Sequence, residues 1–400
     1  MKFYKIISLF IFQIIIFCFG IYISNYISWH DFISTLENLV KKEPIAMTIY
    51  GPMNIEHPII SDAIKTPALL RMKNIDQGGP GAYFHYTPHF SRYDHCIGVF
   101  TLIQKFGGSI MEQITGLYHD VSHTAFSHVA DLLFTAEGAS TNHSYQDEIH
   151  IDFLKKSSIK DFCLKYNIDI TTLNPDSGEY HMLENDAPDL CADRLEYNLH
   201  TGVIYKLITE KEVREIISHL HYDTITFYQN NILVSQKMWF FDDICAAKKF
   251  ALLPLHFMRT LWNAPWSMVL YKVFKELLNY SFEKAYITKD DFLYNNDQYI
   301  LDILYKINDN YIIYLLNLMH NINDLYYVIQ NPQIEPYDDI LKGKFRGIDP
   351  LILTKEASLA VRLTEIDYDF FCLYSLVKSN CQNGIYIKYK KPFKASEIVE

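Results

Sequence analysis

The chain has 400 residues, of which 49% are apolar and 21% are charged, and this composition excludes a disordered or low-complexity protein. Its 36 Lys and Arg residues against 47 Asp and Glu residues give a net charge of −11, which excludes a chain-wide basic surface for stable nucleic-acid binding. The seven cysteines are scattered without a CxxC pair, so neither a disulfide framework nor a zinc ribbon is expected.

The amino-terminal segment, residues 1–29, contains an apolar run. This run covers residues 6–23 and follows Lys2 and Lys5. As a helix it would span about 27 Å, close to the thickness of a bilayer hydrocarbon core. We therefore predict a single transmembrane anchor and a membrane-associated protein, with the side of the membrane left open. A cleaved signal peptide followed by secretion, or a buried helix, is the alternative.

Hydrophobic periodicity predicts a mostly helical chain. The predicted helices cover residues 31–43, 62–74, 93–105, 109–119, 126–135, 145–156, 242–284 and 298–329. A loop rich in Gly, Pro, Tyr and His is predicted between Gln77 and Arg92. Apolar and aromatic runs around a polar turn predict a small β-hairpin at 223–241, and short strands are predicted at 349–353 and 385–389.

Residues able to bind a metal ion or to transfer protons concentrate between positions 89 and 200. In chain order they are Arg92, His95, His119, Asp120, His123, His128, Asp131, Asp193 and Arg194. Imidazole and carboxylate groups together suit a divalent first-row metal ion. His123 follows His119 by four residues, so the two imidazoles lie near one face of a helix. The pattern predicts a metal site with proton donors beside it.

Four sequence blocks occur in a characteristic order. They are TPALLRMK at 66–73, PHFSRYDHCIGV at 88–99, LYHDVSHTAFSH at 117–128 and ADRLEY at 192–197. Together they resemble the HD-domain metal-dependent phosphohydrolases, specifically the branch of the deoxynucleoside triphosphate triphosphohydrolases. The resemblance implies a mostly α fold, with an HD-domain helical bundle at 44–205. A helical region at 206–400, carrying the β-hairpin, would pack on this core.

The resemblance also implies a role for each matched residue. The implied metal ligands are His95, His119, Asp120 and Asp193. They would hold Mn, Fe, Zn or Ni, with Mg as an additional ion on the substrate phosphates. The implied catalytic residues are His123, His128, Asp131 and, on a looser match, His143. The implied substrate-binding residues are Arg92, Gln77, Arg194 and Tyr197.

The resemblance implies metal-dependent hydrolysis of a phosphate ester or anhydride, and a homo-oligomeric assembly. The leading substrate is a (deoxy)nucleoside triphosphate, cleaved to the nucleoside and triphosphate. A nucleotide phosphodiesterase or monophosphatase, and a non-catalytic membrane-tethered binding module, are the alternatives. Gly78 and Gly79 follow Gln77 where the family carries a bulky residue, so the choice between ribose and deoxyribose stays open.

Overall fold

The computed structural model describes residues 46–53, 55, 57–134 and 144–394. The chain divides into two units, one of residues 1–47 with 52–56 and the other of residues 48–51 with 57–400. Strands β1 (Ala46–Thr48) and β2 (Gly51–Met53) form a two-stranded sheet. All elements described below belong to the second unit. The structure is that of one chain, so the homo-oligomer stays a prediction.

The part of the second unit that precedes residue 206 is helical. Its helices are α1 (Pro58–Ile64), α2 (Pro67–Arg71), α3 (Arg92–Lys105), α4 (Ile110–Tyr118), α5 (Val129–Phe134), α6 (Tyr145–Lys156), α7 (Ile159–Tyr166) and α8 (Ala192–Ile204). The side chains of Ser91 and Ser109 accept backbone N–H groups in the first turns of α3 and α4. These caps set where the two helices begin.

The predicted helix at 62–74 is two helices in the structure. Pro58 occupies the first turn of α1, so the helix begins before residue 62, where the prediction placed its start. Pro67 begins α2, because proline has no N–H to continue the preceding helix. A single 3₁₀ turn, Met72–Asn74, then leads into the loop that contains Gln77.

The carboxy-terminal part adds further helices. They are α9 (Glu210–Ser218), α10 (Ile244–Phe257), α11 (Pro265–Glu283), α12 (Lys289–Tyr294), α13 (Asp297–Leu304), α14 (Asn310–His320), α15 (Leu363–Ile366) and α16 (Tyr368–Asn383). The predicted helix at 242–284 is interrupted by a π-helical turn, Met258–Trp262, after which Pro265 begins α11. The predicted helix at 298–329 is interrupted before Asp309, whose side chain caps α14.

The predicted β-hairpin is confirmed, as strands β3 (Leu220–Gln229) and β4 (Ile232–Phe241). Asn230 and Asn231 both have positive φ angles, which suits the tight turn between twisted strands. The remaining strands are β5 (Tyr326–Val328), β6 (Asp339–Leu341), β7 (Leu351–Ile352), β8 (Val361–Arg362) and β9 (Ile385–Tyr389). They complete a β3–β4–β7–β8 sheet and a β5–β9–β6 sheet, so the fold is mostly helical but not all-α.

Two large buried clusters form the core. One includes Val99, Leu199 and Phe250, and the other includes Phe126 and Leu270. Each cluster combines side chains from before and after residue 205. The division of the chain into an HD core and a separate carboxy-terminal region at that position stays a prediction.

The prediction of a transmembrane, membrane-associated protein is contradicted. Residues 6–23 and the predicted helix at 31–43 lie outside the described residues. Among the described helices, none is long and apolar enough to cross a membrane. Helix α11 has 19 residues, for example, but Lys272 and Glu276 interrupt its apolar sequence.

Candidate metal centre and active site

Three of the four predicted metal ligands converge from different helices. His95 lies on α3, His119 directly follows α4, and Asp193 lies in the first turn of α8. The Nε2 atom of His95 is 3.2 Å from Nε2 of His119 and 2.9 Å from Oδ1 of Asp193. Ligand atoms that each lie about 2.0–2.2 Å from one ion are about 3 Å apart. Two imidazoles and a carboxylate at this spacing fit a divalent metal ion.

The fourth predicted ligand, Asp120, reaches the same place but also binds Arg92. Its carboxylate oxygens lie 3.5 Å from Nε2 of His95 and 3.5 Å from Nε2 of His119. Arg92 donates a hydrogen bond from Nη1 to Oδ2 of Asp120. Burial would raise the pKa of Asp120, but Arg92 and His119 hold it well below its usual value. The carboxylate is therefore ionised and faces both the cluster and the guanidinium.

The orientation of both imidazoles is set by contacts on their far sides. Nδ1 of His95 is 2.5 Å from Oε2 of Glu196, and Nδ1 of His119 is 2.8 Å from the Gly116 carbonyl oxygen. A proton on each Nδ1 leaves the Nε2 lone pairs directed at the cluster. Burial would lower the pKa of His95, but Asp193 and Glu196 raise it to about 10. Metal binding would therefore displace a proton from His95.

Arg92 is the first residue of α3, and the three nitrogens of its buried guanidinium differ in their hydrogen-bond partners. Nε donates to Oγ of Ser127 at 2.7 Å, and Nη1 binds Asp120. Among the described residues, its buried Nη2 has no hydrogen-bond partner. We call His95, His119, Asp120 and Asp193 the metal-type cluster. A buried guanidinium nitrogen without a partner beside this cluster is suited to bind an anionic oxygen of a ligand.

His123 and His128 extend the site along the irregular segment that follows α4, and Asp131 lies in the first turn of α5. Nε2 of His123 is 3.4 Å from Oδ1 of Asp120, and the rings of His123 and His128 are 5.1 Å apart and almost perpendicular. Burial lowers the pKa of His123 to about 3, and the positive charge of Arg92 lowers it in the same direction. His123 is therefore a neutral imidazole at neutral pH.

His128 and Asp131 form a partly exposed pair beside His123. Oδ2 of Asp131 is 3.1 Å from Nδ1 of His128, and its Oδ1 accepts the Tyr145 N–H at 2.8 Å. Burial would raise the pKa of Asp131, but His128 and Tyr145 lower it below its usual value. The side chain of His128 is 37% exposed. Asp131 therefore holds Nδ1 and leaves Nε2 of His128 for a ligand.

The remaining predicted residues have different surroundings. Gln77 is half-buried, and within the described chain its buried Oε1 has no hydrogen-bond partner. Tyr197 lies one helical turn after Asp193, with its ring centroid 6.4 Å from that of His95, and burial raises its pKa to about 12. Arg194 donates from Nη1 to two loop carbonyls, those of Asn185 and Asp189. His143 lies outside the described residues.

Glu196 also belongs to the site, although the sequence analysis did not single it out. It follows Asp193 by three residues on α8, so the helical period was a usable signal. Its second carboxylate oxygen is 2.7 Å from Nδ1 of His200. A Cβ atom at Gly98 would lie 2.2 Å from Oε1 of Glu196, so glycine at this position leaves the space that the carboxylate needs.

Tyr271 on α11 is a second residue that was missed, and no local pattern marks it. Its hydroxyl donates to the Gly78 carbonyl oxygen at 3.0 Å. Gly79 has a φ angle of +70°, and a Cβ atom there would lie 2.3 Å from the Tyr271 hydroxyl oxygen. The Gly78–Gly79 pair therefore lets Tyr271 cover the loop beside Gln77.

No family model matches the sequence. The chain is 30% identical over 347 residues to the uncharacterized protein YdhJ of Bacillus subtilis, covering 87% of this chain and 99% of that protein. It is 29% identical over 173 residues to the metal-dependent phosphohydrolase cns2 of Cordyceps militaris, covering 43% of this chain and 48% of that protein. A third match is the deoxynucleoside triphosphate triphosphohydrolase SAMHD1 of Xenopus laevis, at 31% identity over 120 residues, 25% of this chain and 19% of that protein.

Among solved structures, a phosphohydrolase of Bacteroides thetaiotaomicron has a similar fold. The TM-score is 0.64 at 17% sequence identity, over 88% of this chain and all of that one. The fold and the His–Asp cluster are those of a metal-dependent phosphate hydrolase. The chain belongs to the HD-domain phosphohydrolase superfamily and shares a family with YdhJ.

Proposed function

We propose that the chain hydrolyses a (deoxy)nucleoside triphosphate to the nucleoside and triphosphate. The observation that carries this proposal is the buried Arg92, which binds Asp120 through Nη1 and keeps Nη2 without a hydrogen-bond partner among the described residues. The activity for which the Xenopus laevis relative is named supports the same substrate class.

His95, His119, Asp120 and Asp193 would hold the ion, which is Mn, Fe, Zn or Ni in this proposal, with Mg on the substrate phosphates. When bound, such an ion supplies Lewis-acid polarisation of a phosphoryl oxygen. Arg92 binds a phosphoryl oxygen through Nη2, the nitrogen that has no partner among the described residues. Its charge opposes the negative charge that accumulates on the phosphoryl group during displacement.

The His128–Asp131 pair acts as the general acid. Asp131 holds the Nδ1 proton, so that a protonated Nε2 of His128 can donate to the leaving oxygen. In triphosphate release a water oxygen bonds to the α-phosphorus as the bond from that phosphorus to the 5′ oxygen of the nucleoside breaks. The 5′ oxygen takes the proton from His128, and the proton that the water loses restores it. The buried His123 stays neutral, and it positions Asp120 and His128 without adding charge.

Three further residues complete the proposed substrate site. Gln77, with its unpaired Oε1, would contact the sugar next to the Gly78–Gly79 loop. Arg194 and Tyr197 would face the phosphates from α8. The role of His143 as a further proton-transfer residue remains a prediction from the sequence.

The proposal is tested with the full chain loaded with Mn or Fe. Triphosphate, pyrophosphate and orthophosphate release is followed from NTPs, dNTPs, nucleoside monophosphates and cyclic nucleotides. We expect triphosphate from a nucleoside triphosphate, with a rate about 10²–10⁴-fold lower in His128→Ala, since a general acid contributes about that much. Asp120→Ala should abolish the activity.

The matched control is His256→Ala, because His256 is an exposed histidine on α10. It should leave the rate unchanged, and metal content should be equal in wild type, His128→Ala and the control. Turnover of monophosphates or cyclic nucleotides alone would replace the proposal by a monophosphatase or phosphodiesterase. No turnover by metal-loaded protein would favour a non-catalytic binding module.

A further inference from the structure

Ser122 lies in the turn that carries Asp120 and His123, but its side chain binds helix α6 rather than the metal-type cluster. Its buried hydroxyl is 2.6 Å from Oε1 of Gln146 and 2.8 Å from Nδ1 of His150. These two α6 residues are four positions apart, so both face the turn from one side of the helix. The His123 N–H donates to the Asp120 carbonyl oxygen at 3.0 Å, which makes the turn tight. A shift of Ser122 would therefore move Asp120 and His123 as well.

The protons of this buried network follow from its contacts. Nε2 of Gln146 donates to the Asp147 carboxylate, so Oε1 of Gln146 accepts the Ser122 hydroxyl proton. The contact between Ser122 and His150 then needs a proton on Nδ1 of His150. Burial lowers the pKa of His150 to about 4, so its neutral imidazole leaves Nε2 unprotonated at the longer, 3.2 Å contact with the Leu173 carbonyl oxygen. The hydrogen bonds run in one direction, from His150 through Ser122 to Gln146, and they fix the rotation of the hydroxyl.

The same helix also holds the proposed general acid. The N–H of Tyr145, the residue before Gln146, donates to Oδ1 of Asp131 at 2.8 Å. Asp131 binds Nδ1 of His128 through its other oxygen. Because adjacent residues at the start of α6 bind Asp131 and Ser122, one helix fixes the metal side and the acid side of the site relative to each other.

We propose that the Ser122 hydroxyl, held by α6, is a positioning group that sets where Asp120 lies relative to the general acid His128. This inference rests on the proposed hydrolysis. Asp120 is a proposed metal ligand, and His128 would protonate the leaving oxygen, so both must reach one phosphoryl group. A displacement of about 1 Å between reacting groups can cost about 100-fold in rate.

The test compares the full chain with its Ser122→Ala variant. Co²⁺ is loaded as a probe, because its visible absorption reports the ligand geometry at its site, and nucleotide kinetics are measured with Mn. We expect Ser122→Ala to change the Co²⁺ absorption, since Asp120 moves. It should also lower kcat for triphosphate release about 10–100-fold while KM stays near the wild-type value, since a misplaced group acts on the transition state.

The matched control is Ser281→Ala. Ser281 is a buried serine on α11 whose hydroxyl donates to the Leu277 carbonyl oxygen at 2.7 Å. This variant also loses one buried hydroxyl, so it should lose stability as Ser122→Ala does. Its Co²⁺ absorption and kcat should equal those of wild type, and equal changes in the two variants would overturn the inference.

His150 gives a second comparison that separates positioning from packing. The side-chain N–H of asparagine can replace the Nδ1 proton, so His150→Asn should keep a kcat close to that of wild type. His150→Leu fills the buried space but cannot donate to Ser122, so its kcat should fall as in Ser122→Ala. A leucine variant that turns over as wild type does would show that the network only packs, and would also overturn the inference.

The outcomes also separate this inference from the proposed hydrolysis. Altered Co²⁺ absorption in Ser122→Ala and His150→Leu, with no nucleotide turnover by wild type, would support the positioning of Asp120 and reject the hydrolysis. Nucleotide turnover with equal kcat and absorption in Ser122→Ala and wild type would reject the positioning role and leave the hydrolysis standing. A wild-type chain that binds no Co²⁺ would reject both.

Discussion

At the scale of single residues, the metal-type cluster depends on Glu196, a carboxylate that lies behind His95 and does not face the metal position. Glu196 contacts both His95 and His200, and it does so only because Gly98 leaves space for its side chain. A carboxylate behind a ligating imidazole fixes the tautomer and makes the other ring nitrogen a better ligand. Glu196 therefore acts on the proposed metal through His95.

Replacing Glu196 by Gln tests this arrangement. We expect metal affinity to fall about 10–100-fold, the range typical for loss of such an outer partner. Competition with a chromogenic chelator measures it directly. Glu215→Gln, at an exposed position of α9, is the control and should bind metal as wild type does. Unchanged affinity in Glu196→Gln would show that His95 needs no partner on its Nδ1 side.

At the scale of secondary-structure elements, the amino terminus of α13 joins two loops of the site. The carboxylate of Asp297 accepts the Asp76 N–H at 2.9 Å and the Phe126 N–H at 2.6 Å. The Asp76 carbonyl oxygen accepts the Ser127 hydroxyl, and Ser127 accepts Nε of Arg92. One buried side chain on α13 thus supports the loop before α3 and the turn before α5.

We expect Asp297→Ala to lower the free energy of unfolding by about 3 kcal/mol, because it leaves two buried N–H groups without an acceptor. Urea unfolding of the metal-free protein measures this loss. Asp302→Ala, at an exposed position on the same helix, should change the stability by less than about 0.5 kcal/mol. Equal stability of the two variants would mean that other groups or water accept the hydrogen bonds of the Asp76 and Phe126 N–H groups.

At the scale of the whole molecule, the site lies between parts of the chain that share one core. Val99 of α3 and Leu199 of α8 belong to the same buried cluster as Phe250 of α10. Helices α3 and α8 also carry His95 and Asp193. His95 is buried, Asp193 is partly buried, and the pKa of His95 lies well above its ordinary value. The protonation of the site therefore contributes to the stability of the folded chain.

The pH dependence of unfolding follows from His95. Its folded pKa of about 10 lies above the ordinary value of 6.5, because Asp193 and Glu196 outweigh the effect of burial. The folded state therefore binds this proton more tightly than the unfolded state does. The resulting stabilisation is fully present below pH 6.5 and is lost as the pH rises through about 10.

We expect the metal-free protein to become less stable between pH 6.5 and 10, whereas its metal affinity should increase over the same interval. Urea midpoints and chelator competition at several pH values measure the two trends. Glu196→Gln should flatten the stability profile, since it removes one of the two carboxylates that hold the proton. Identical profiles for wild type and Glu196→Gln would contradict this assignment.

The sequence alone determined the features that depend on near neighbours in the chain. The order of the blocks around His95, His119 and Asp193 indicated the family, because these ligands occur in short motifs with defined spacing. The hairpin around Asn230 and Asn231 was predictable for the same reason, since both residues tolerate positive φ. The helix break at Pro67 was missed, although proline is itself a local signal.

Only the tertiary structure decided which distant residues meet at the site. Tyr271 contacts Gly78, and Trp262 packs against Tyr197, across separations that no helical or strand period records. Such contacts depend on how helices pack through the shared core, and packing is decided by shape and burial over the whole chain. The motifs therefore predict the chemistry of the cluster, whereas the folded chain determines what surrounds its substrate.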